Sequence, residues 1–409
     1  MTTPHSDSPF LAACRAEPHD RTPVWFMRQA GRSLPEYRAI RGSGSILNTI
    51  ADADLSTEIT LQPVRRYGVD AAILFSDIVV PAHAVGFGVD VRPGVGPVID
   101  RPFECRADLE RLRPLEPETD TPYVLETVRQ VVADGSVPLI GFAGGPFTVA
   151  SYLVEGGPSK EHAKTKAMMF GAPEVWSALM EKIAGIAAAY LEVQVAAGAS
   201  AVQLFDSWAG ALTPQDYAAH VQPWSTSVLA RAGALGVPRI HFGVGTSNLL
   251  DLMGEAGADV VGVDWRTPLE RAIPMVGDRG VQGNLDPTLV FAPTEVMTAR
   301  AAEIIEAGRA AKGHVFNLGH GVLPSTDPDQ LARLTDSDIL IRPDLEGHSS
   351  ADFFDGPVLF ELGATAAREH AVALNRLAVS GPAWQAWRDS VEGGMWQPGP
   401  IARIEFTQG

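Results

Sequence analysis

The chain has 409 residues, 45% hydrophobic and 20% charged, an ordinary globular composition with room for one large domain or two small ones. A formal charge of −17 at pH 7 and a pI near 5.0 argue against a nucleic-acid partner, which needs a basic face, so any anionic ligand must be held by local cations. Only Cys14 and Cys105 occur, far apart and without metal-binding spacing, which argues against a disulfide framework or a thiolate zinc site and fits a reducing cytoplasm.

The N-terminus, MTTPHSDSPF, is polar and lacks the basic start and apolar core of an export signal. No apolar run reaches the roughly 18 residues of a membrane span, so a soluble, unprocessed chain is expected. The first strand-like run, Val24 to Met27, is followed by Arg28, Arg32, Arg38 and Arg41, with no lysine among them. Guanidinium groups are always charged and offer a planar fork of donors, which suits a ligand carrying several carboxylates or phosphates. The alternative is a set of surface arginines paired with acids such as Glu36.

Further apolar runs follow at Ala71 to Phe75, Pro138 to Phe142, Ala201 to Phe205, Arg239 to Phe242, Val260 to Asp264, Val281 to Gly283 and His314 to Leu318. Helical signals lie between them, including a possible cap at Asp54 and the long Ala-rich stretch 172–197. Alternating strand and helix implies a parallel sheet. Eight such units without a composition break favour a single (β/α)8 barrel over an open doubly wound sheet. Gly86 to Pro102 alternates apolar residues with turn formers and reads as a small hairpin over the barrel mouth. Gly156 to Lys160 reads as a candidate lid. From Thr335 the rhythm stops, so the expected organisation is a barrel domain over 9–335 and an irregular or partly disordered extension over 336–409.

In such barrels the active site lies at the C-terminal ends of the strands. The residues there are Arg28, Ser76-Asp77, Gly144 to Thr148 leading to Tyr152, Asp206-Ser207-Trp208, Asp264-Trp265-Arg266, Asn284-Leu285-Asp286 and Gly319-His320-Gly321. Asp77 leaves an apolar strand and can accept ligand N–H groups or stabilise a cation; capping the next helix is the other reading. His320, between two glycines, leaves room for a ligand but is equally consistent with a structural histidine. Tyr152 suits either core or proton donation. Ser207 lacks a Gly-x-Ser-x-Gly elbow, so a hydrolase triad is a weak reading.

The segments PVWFMRQAGR (23–32), FSD (75–77), GFAGGPFTVASYLVEGG (141–157), QLFDSWAG (203–210), QGNLDP (282–287) and NLGHGVLP (317–324) resemble the uroporphyrinogen decarboxylase family, from about Pro9 to about Arg333. The resemblance implies a (β/α)8 TIM barrel, usually a cytoplasmic homodimer, that converts the four acetate side chains of uroporphyrinogen to methyl groups. The product is coproporphyrinogen, on the route to haem and chlorophyll, and no metal or organic cofactor is used. By motif position it makes Arg28, Arg32 and Arg41 ligands of substrate carboxylates. Asp77 becomes the partner of the pyrrole N–H groups, and Tyr152, Ser207 and His320 the remaining substrate contacts. Asp77, Tyr152 and Arg28 are the expected catalytic residues. The alternatives are a related barrel methyltransferase, for which no strand end offers a thiolate, and a tetrapyrrole-binding protein without activity.

Overall fold

The apolar runs expected as strands build one parallel sheet, in a computed structural model that describes residues 5, 8–42, 44–335 and 356–369. The strands are β1 (Ala72–Ile73), β2 (Val89–Arg92), β3 (Gly96–Ile99), β4 (Leu139–Gly144), β5 (Ala201–Phe205), β6 (Arg239–Phe242), β7 (Val260–Gly262), β8 (Gly280–Gln282) and β9 (His314–Val315). Seven of them form a curled sheet in the order β1-β4-β5-β6-β7-β8-β9, every neighbouring pair parallel. All six residues of β4 are buried, as expected for a strand covered on both faces.

The run Val24 to Met27, expected as the first strand, contributes a single bridge residue, Val24, paired in parallel with Phe316. Its backbone bonds run both ways: Phe316 N–H donates to the Pro23 carbonyl at 2.8 Å and Asp70 N–H to the Val24 carbonyl at 2.8 Å. Beyond Trp25 the ladder stops because side-chain amides take over. Phe26 N–H donates to Gln29 Oε1 and Met27 N–H to Asn317 Oδ1, both at 2.9 Å. In the interior, Trp25 Nε1 donates to Gln282 Oε1 (3.1 Å) and Gln282 Nε2 to Gln203 Oε1 (3.0 Å), joining three buried residues by polar contacts.

The helix Ala53–Tyr67 is capped by Asp52, whose side chain accepts from Leu55 N–H at 3.0 Å. Asp54 therefore lies inside the first turn, where its charge still suits the helix dipole. The Ala-rich stretch forms the helix Pro173–Ala197, clamped to β4 by Gln194, which accepts from Phe142 N–H at 2.9 Å and donates to the Phe142 carbonyl at 3.1 Å. This close approach needs Gly141, since a Cβ there would stand 2.7 Å from Gln194 Oε1. The expected hairpin is β2 and β3, antiparallel with Val89 opposite Ile99; it is fastened by Ile99 N–H to the Gly156 carbonyl at 3.0 Å.

The chain divides into two units, Met1–Thr335 and Asp336–Gly409. In the second, the described residues form the helix Gly356–Glu369, with Arg368 Nη2 donating to Glu361 Oε1 at 2.7 Å. The rest of the stretch expected to be irregular lies outside the described residues. Among the described residues no helix is long and apolar enough to cross a membrane.

Candidate active site

Two of the arginines after the first apolar run sit on backbone that side chains rarely adopt: Arg28 has φ 59 and Arg32 φ 41, with Gly31 between them at φ 95. Left-handed non-glycine residues cost on the order of 1–3 kcal/mol each and persist where their surroundings over-determine them. Here the determinants are visible. Buried Gln29 donates from Nε2 to the Ala71 carbonyl at 2.9 Å while its Oε1 caps Phe26 N–H. Arg38 donates to the carbonyls of Ser33 (2.9 Å), Arg32 (3.3 Å) and Pro324 (3.4 Å). Arg38 is thus a strap for the loop rather than part of an anion trap, and Glu36 pairs with Arg66 at 2.8 Å. Arg28 and Arg32 remain exposed. The stem of Arg28 crosses Gly321, where a Cβ would lie 2.4 Å from Arg28 Cδ, so the first arginine and the His320 segment are in contact.

Asp77 follows β1 and is half-buried. Its Oδ1 accepts from Val79 N–H at 3.1 Å, so part of the capping reading holds. Burial pushes its carboxyl above the usual value, opposed by the Val79 N–H and by the charges of Arg28 and Arg32. Those charges therefore reach Asp77. Tyr152, on the helix Pro146–Glu155 after β4, is pushed up to about 12 by burial and by the Asp77 charge, with Arg28 opposing. His320 is lowered by burial and by the charges of Arg28, Arg266 and Arg32, with Asp264 opposing. Its Nδ1 accepts from Gly321 N–H at 2.7 Å, so the neutral ring carries its proton on Nε2, as a donor. Arg28, Arg32, Asp77, Tyr152 and His320 thus act on one another at the carboxyl ends of the sheet.

Arg41 and Ser207 join this group less directly. Arg41 is half-buried, stands over the Tyr37 ring at 5.9 Å and donates to the Gly44 carbonyl at 3.3 Å. The Tyr37 hydroxyl feels both Arg41 and Arg32. Ser207 lies after β5 between Asp206 and Trp208, both tied to Thr148. Thr148 Oγ1 donates to Asp206 Oδ1 at 2.8 Å and accepts from Trp208 N–H at 3.2 Å. The Trp208 ring lies 4.0 Å from that of Tyr152 and 4.8 Å from that of buried His162, which packs on Phe147 at 6.0 Å. This aromatic stack positions Tyr152, and spacing offered no sign of it because His162, just before the helix Ala163–Gly171, lies beyond the stretch 156–160 expected to be a lid.

Two further groups stand at strand ends without a role assigned from the sequence. Asp206 is fully buried and pushed up to about 6 by burial, and Arg266 lies within charge range of His320. Both stood at strand ends, which was the only available signal. A cavity of about 700 Å³ lies elsewhere, lined by Cys14, Arg239, Asp259 and Gly280 at the amino ends of β6 and β8. Parallel sheets of this kind bind substrates at the opposite ends, so the cavity is not the candidate site. Cys14 lines that cavity at the amino ends, and Cys105 is exposed.

Residues 5–337 match the family model described as uroporphyrinogen decarboxylase (URO-D). A uroporphyrinogen decarboxylase from Nocardioides sp. strain JS614 is 74% identical over 332 residues, spanning 81% of this chain and 96% of the relative. One from Salinispora tropica is 62% identical over 331 residues, spanning 80% and 89%. Among solved structures, a methyltransferase from Methanosarcina mazei superposes with a TM-score of 0.65 at 19% identity, covering 80% of this chain and 96% of that one. A B12-independent methionine synthase from Shewanella sp. W3-18-1 gives 0.50 at 14% identity, covering 77% and 93%. These two likenesses concern the fold alone.

Proposed function

The chain belongs to the uroporphyrinogen decarboxylase family, and from that premise we propose that it removes carbon dioxide from the acetate side chains of uroporphyrinogen to give coproporphyrinogen. The observation that carries this reading is the convergence of Arg28, Arg32, Asp77, Tyr152 and His320 at one end of the sheet. The substrate carries eight carboxylates, and an acidic protein that binds it needs a local cluster of guanidinium groups.

The pyrrole ring serves as its own electron sink, so the residues need only bind, orient and move protons. A proton added to the ring carbon beside the acetate makes a cationic ring. The bond to the carboxylate breaks, carbon dioxide leaves, and its electron pair forms an exocyclic double bond that neutralises the ring. A second proton, added to the exocyclic carbon, makes the methyl group. Loss of the first ring proton then restores the aromatic pyrrole, and the net change is one proton consumed per carbon dioxide released.

Asp77 stabilises the cation and accepts the pyrrole N–H groups. Its desolvated setting strengthens that effect, because charges interact more strongly where the effective dielectric is low. Arg28, Arg32 and Arg41 bind substrate carboxylates, while Ser207 and the Nε2–H of His320 supply neutral contacts. The donor of the first proton lies among the arginines or is Tyr152. Burial brings the Tyr152 phenol up to about 12 and lowers the Arg32 guanidinium from its ordinary value, which makes Arg32 readier to give up a proton than it is in water.

A closed (β/α)8 barrel is supported by the backbone bonds of the Val24 segment to both Phe316 and Asp70, which fit an eighth stave between β9 and β1. The family match, which ends at residue 337, supports a decarboxylase domain over 9–335 followed by an extension over 336–409. The resemblance extends to a cytoplasmic homodimer, which sedimentation at working concentration tests. Incubation of the purified chain with uroporphyrinogen, following carbon dioxide release and coproporphyrinogen, tests the activity. A chain that binds the macrocycle without releasing carbon dioxide would instead be a tetrapyrrole-binding protein.

A further inference from the structure

We propose that Arg266 is an additional ligand for a substrate carboxylate, on the rim of the mouth beside His320; this rests on the decarboxylase reading above. Arg266 follows β7 at its carboxyl end, and its anchor is built. Asp264, 1% exposed, accepts from Arg266 N–H on Oδ1 at 2.8 Å, and on Oδ2 from Gly245 N–H at 2.9 Å and Arg266 Nη1 at 2.5 Å. Asn284 Nδ2 braces the same turn by donating to the carbonyls of Asp264 (3.1 Å) and Thr267 (2.6 Å). The turn abuts the His320 segment, since a Cβ on Gly319 would stand 2.2 Å from the Trp265 nitrogen. Arg266 also stacks on the Trp265 ring at 4.4 Å.

An anchored arginine is not by itself a ligand. The contrast is with Arg239, whose Nε and Nη2 are both taken by Asp259 and whose Nη1 reaches the Leu229 carbonyl. Arg66 likewise spends Nη1 on Glu36 and Nη2 on Asp329. Arg266 gives Asp264 one nitrogen of its guanidinium, and its side chain is 52% exposed, so the rest of the fork is accessible beside the His320 segment. Its turn follows β7 and abuts the His320 segment, whereas Asp77 follows β1, four strands away along the sheet. Arg266 therefore holds a carboxylate away from the reacting ring, and its contribution belongs to binding rather than to the chemical step.

The test uses the full chain and four proteins: wild type, Arg266→Gln, Arg266→Lys, and Arg300→Gln as a control for net charge. Arg300 is an exposed arginine on the helix Thr294–Gly308, paired with Glu303 at 3.1 Å. With uroporphyrinogen, Arg266→Gln is expected to raise KM about tenfold with kcat within about twofold. Arg266→Lys is expected to raise KM by about threefold or more, because one ammonium replaces a fork shared between two carboxylates. Arg300→Gln should change neither constant. Fluorescence titration with uroporphyrin, the oxidised octacarboxylate, reads the contact without turnover, and Arg266→Gln should weaken it about tenfold. Wild-type KM and wild-type uroporphyrin binding in both Arg266 variants would overturn the assignment, as would a loss confined to kcat. Wild-type protein that binds uroporphyrin but releases no carbon dioxide would overturn the decarboxylase reading while leaving the Arg266 contact measurable.

Discussion

At the residue scale, Asp77 carries opposing influences: burial raises its carboxyl, and Val79 N–H, Arg28 and Arg32 hold it down, with the balance upward. Its proposed role needs the charged form. Activity should therefore fall as pH drops through a pKa above the ordinary 3.8, and a profile of kcat/KM against pH should show this acid limb. Asp77→Asn should remove the limb along with most turnover. A carboxylate about 4 Å from the developing cation, at an effective dielectric of about 20, contributes on the order of 4 kcal/mol, or about a thousandfold in rate. Arg28→Lys should cost at least about tenfold in kcat/KM, because a point charge cannot reproduce a bidentate fork. Much of this was readable in the sequence, since Arg28 directly follows one apolar run and Asp77 follows another after Ser76. The duty of Arg38 was not, because one of its acceptors, the Pro324 carbonyl, belongs to a segment 286 residues away.

At the scale of elements, β4 passes into its helix at Gly145, where a Cβ would stand 2.6 Å from Asp206 Cγ at the end of β5. Asp206 is thereby sealed in, with Thr148 as its side-chain partner, and rises to about 6. The sign follows from linkage. Between the ordinary 3.8 and about 6 the folded state holds a proton that the unfolded chain releases, so stability from this group declines as pH rises through that window. The full cost, on the order of 3 kcal/mol, is present above about pH 6. Asp206→Asn keeps an acceptor for Thr148 without the charge. Its melting temperature relative to wild type should climb between pH 4.5 and pH 7, and a difference independent of pH would contradict the account. The strands after the first were readable from apolar runs alone. The Val24 segment keeps only a single bridge because Gln29 and Asn317 cap its N–H groups with side-chain oxygens, which periodicity does not register. The stack of Tyr152, Trp208 and His162 depends on three separate segments meeting, and no local pattern announces it.

At the scale of the whole molecule, a chain of net charge −17 concentrates exposed Arg28, Arg32 and Arg266 at one end of its sheet, where a polyanion would otherwise be repelled. The family match ends at residue 337, close to the division after Thr335. A chain ending at Thr335 is expected to keep kcat/KM within about twofold and to melt as the full chain does, because a domain with its own core folds alone. A large loss of either would assign the extension a part in the decarboxylase unit. The central claim is that this mouth decarboxylates uroporphyrinogen through the Asp77 charge. Its most direct test is the rate of carbon dioxide release from uroporphyrinogen by wild type and by Asp77→Asn, with circular dichroism confirming that both are folded. The expected result is coproporphyrinogen from wild type and a rate about a thousandfold lower in the variant. No carbon dioxide from wild type, or equal rates from the two proteins, would contradict it.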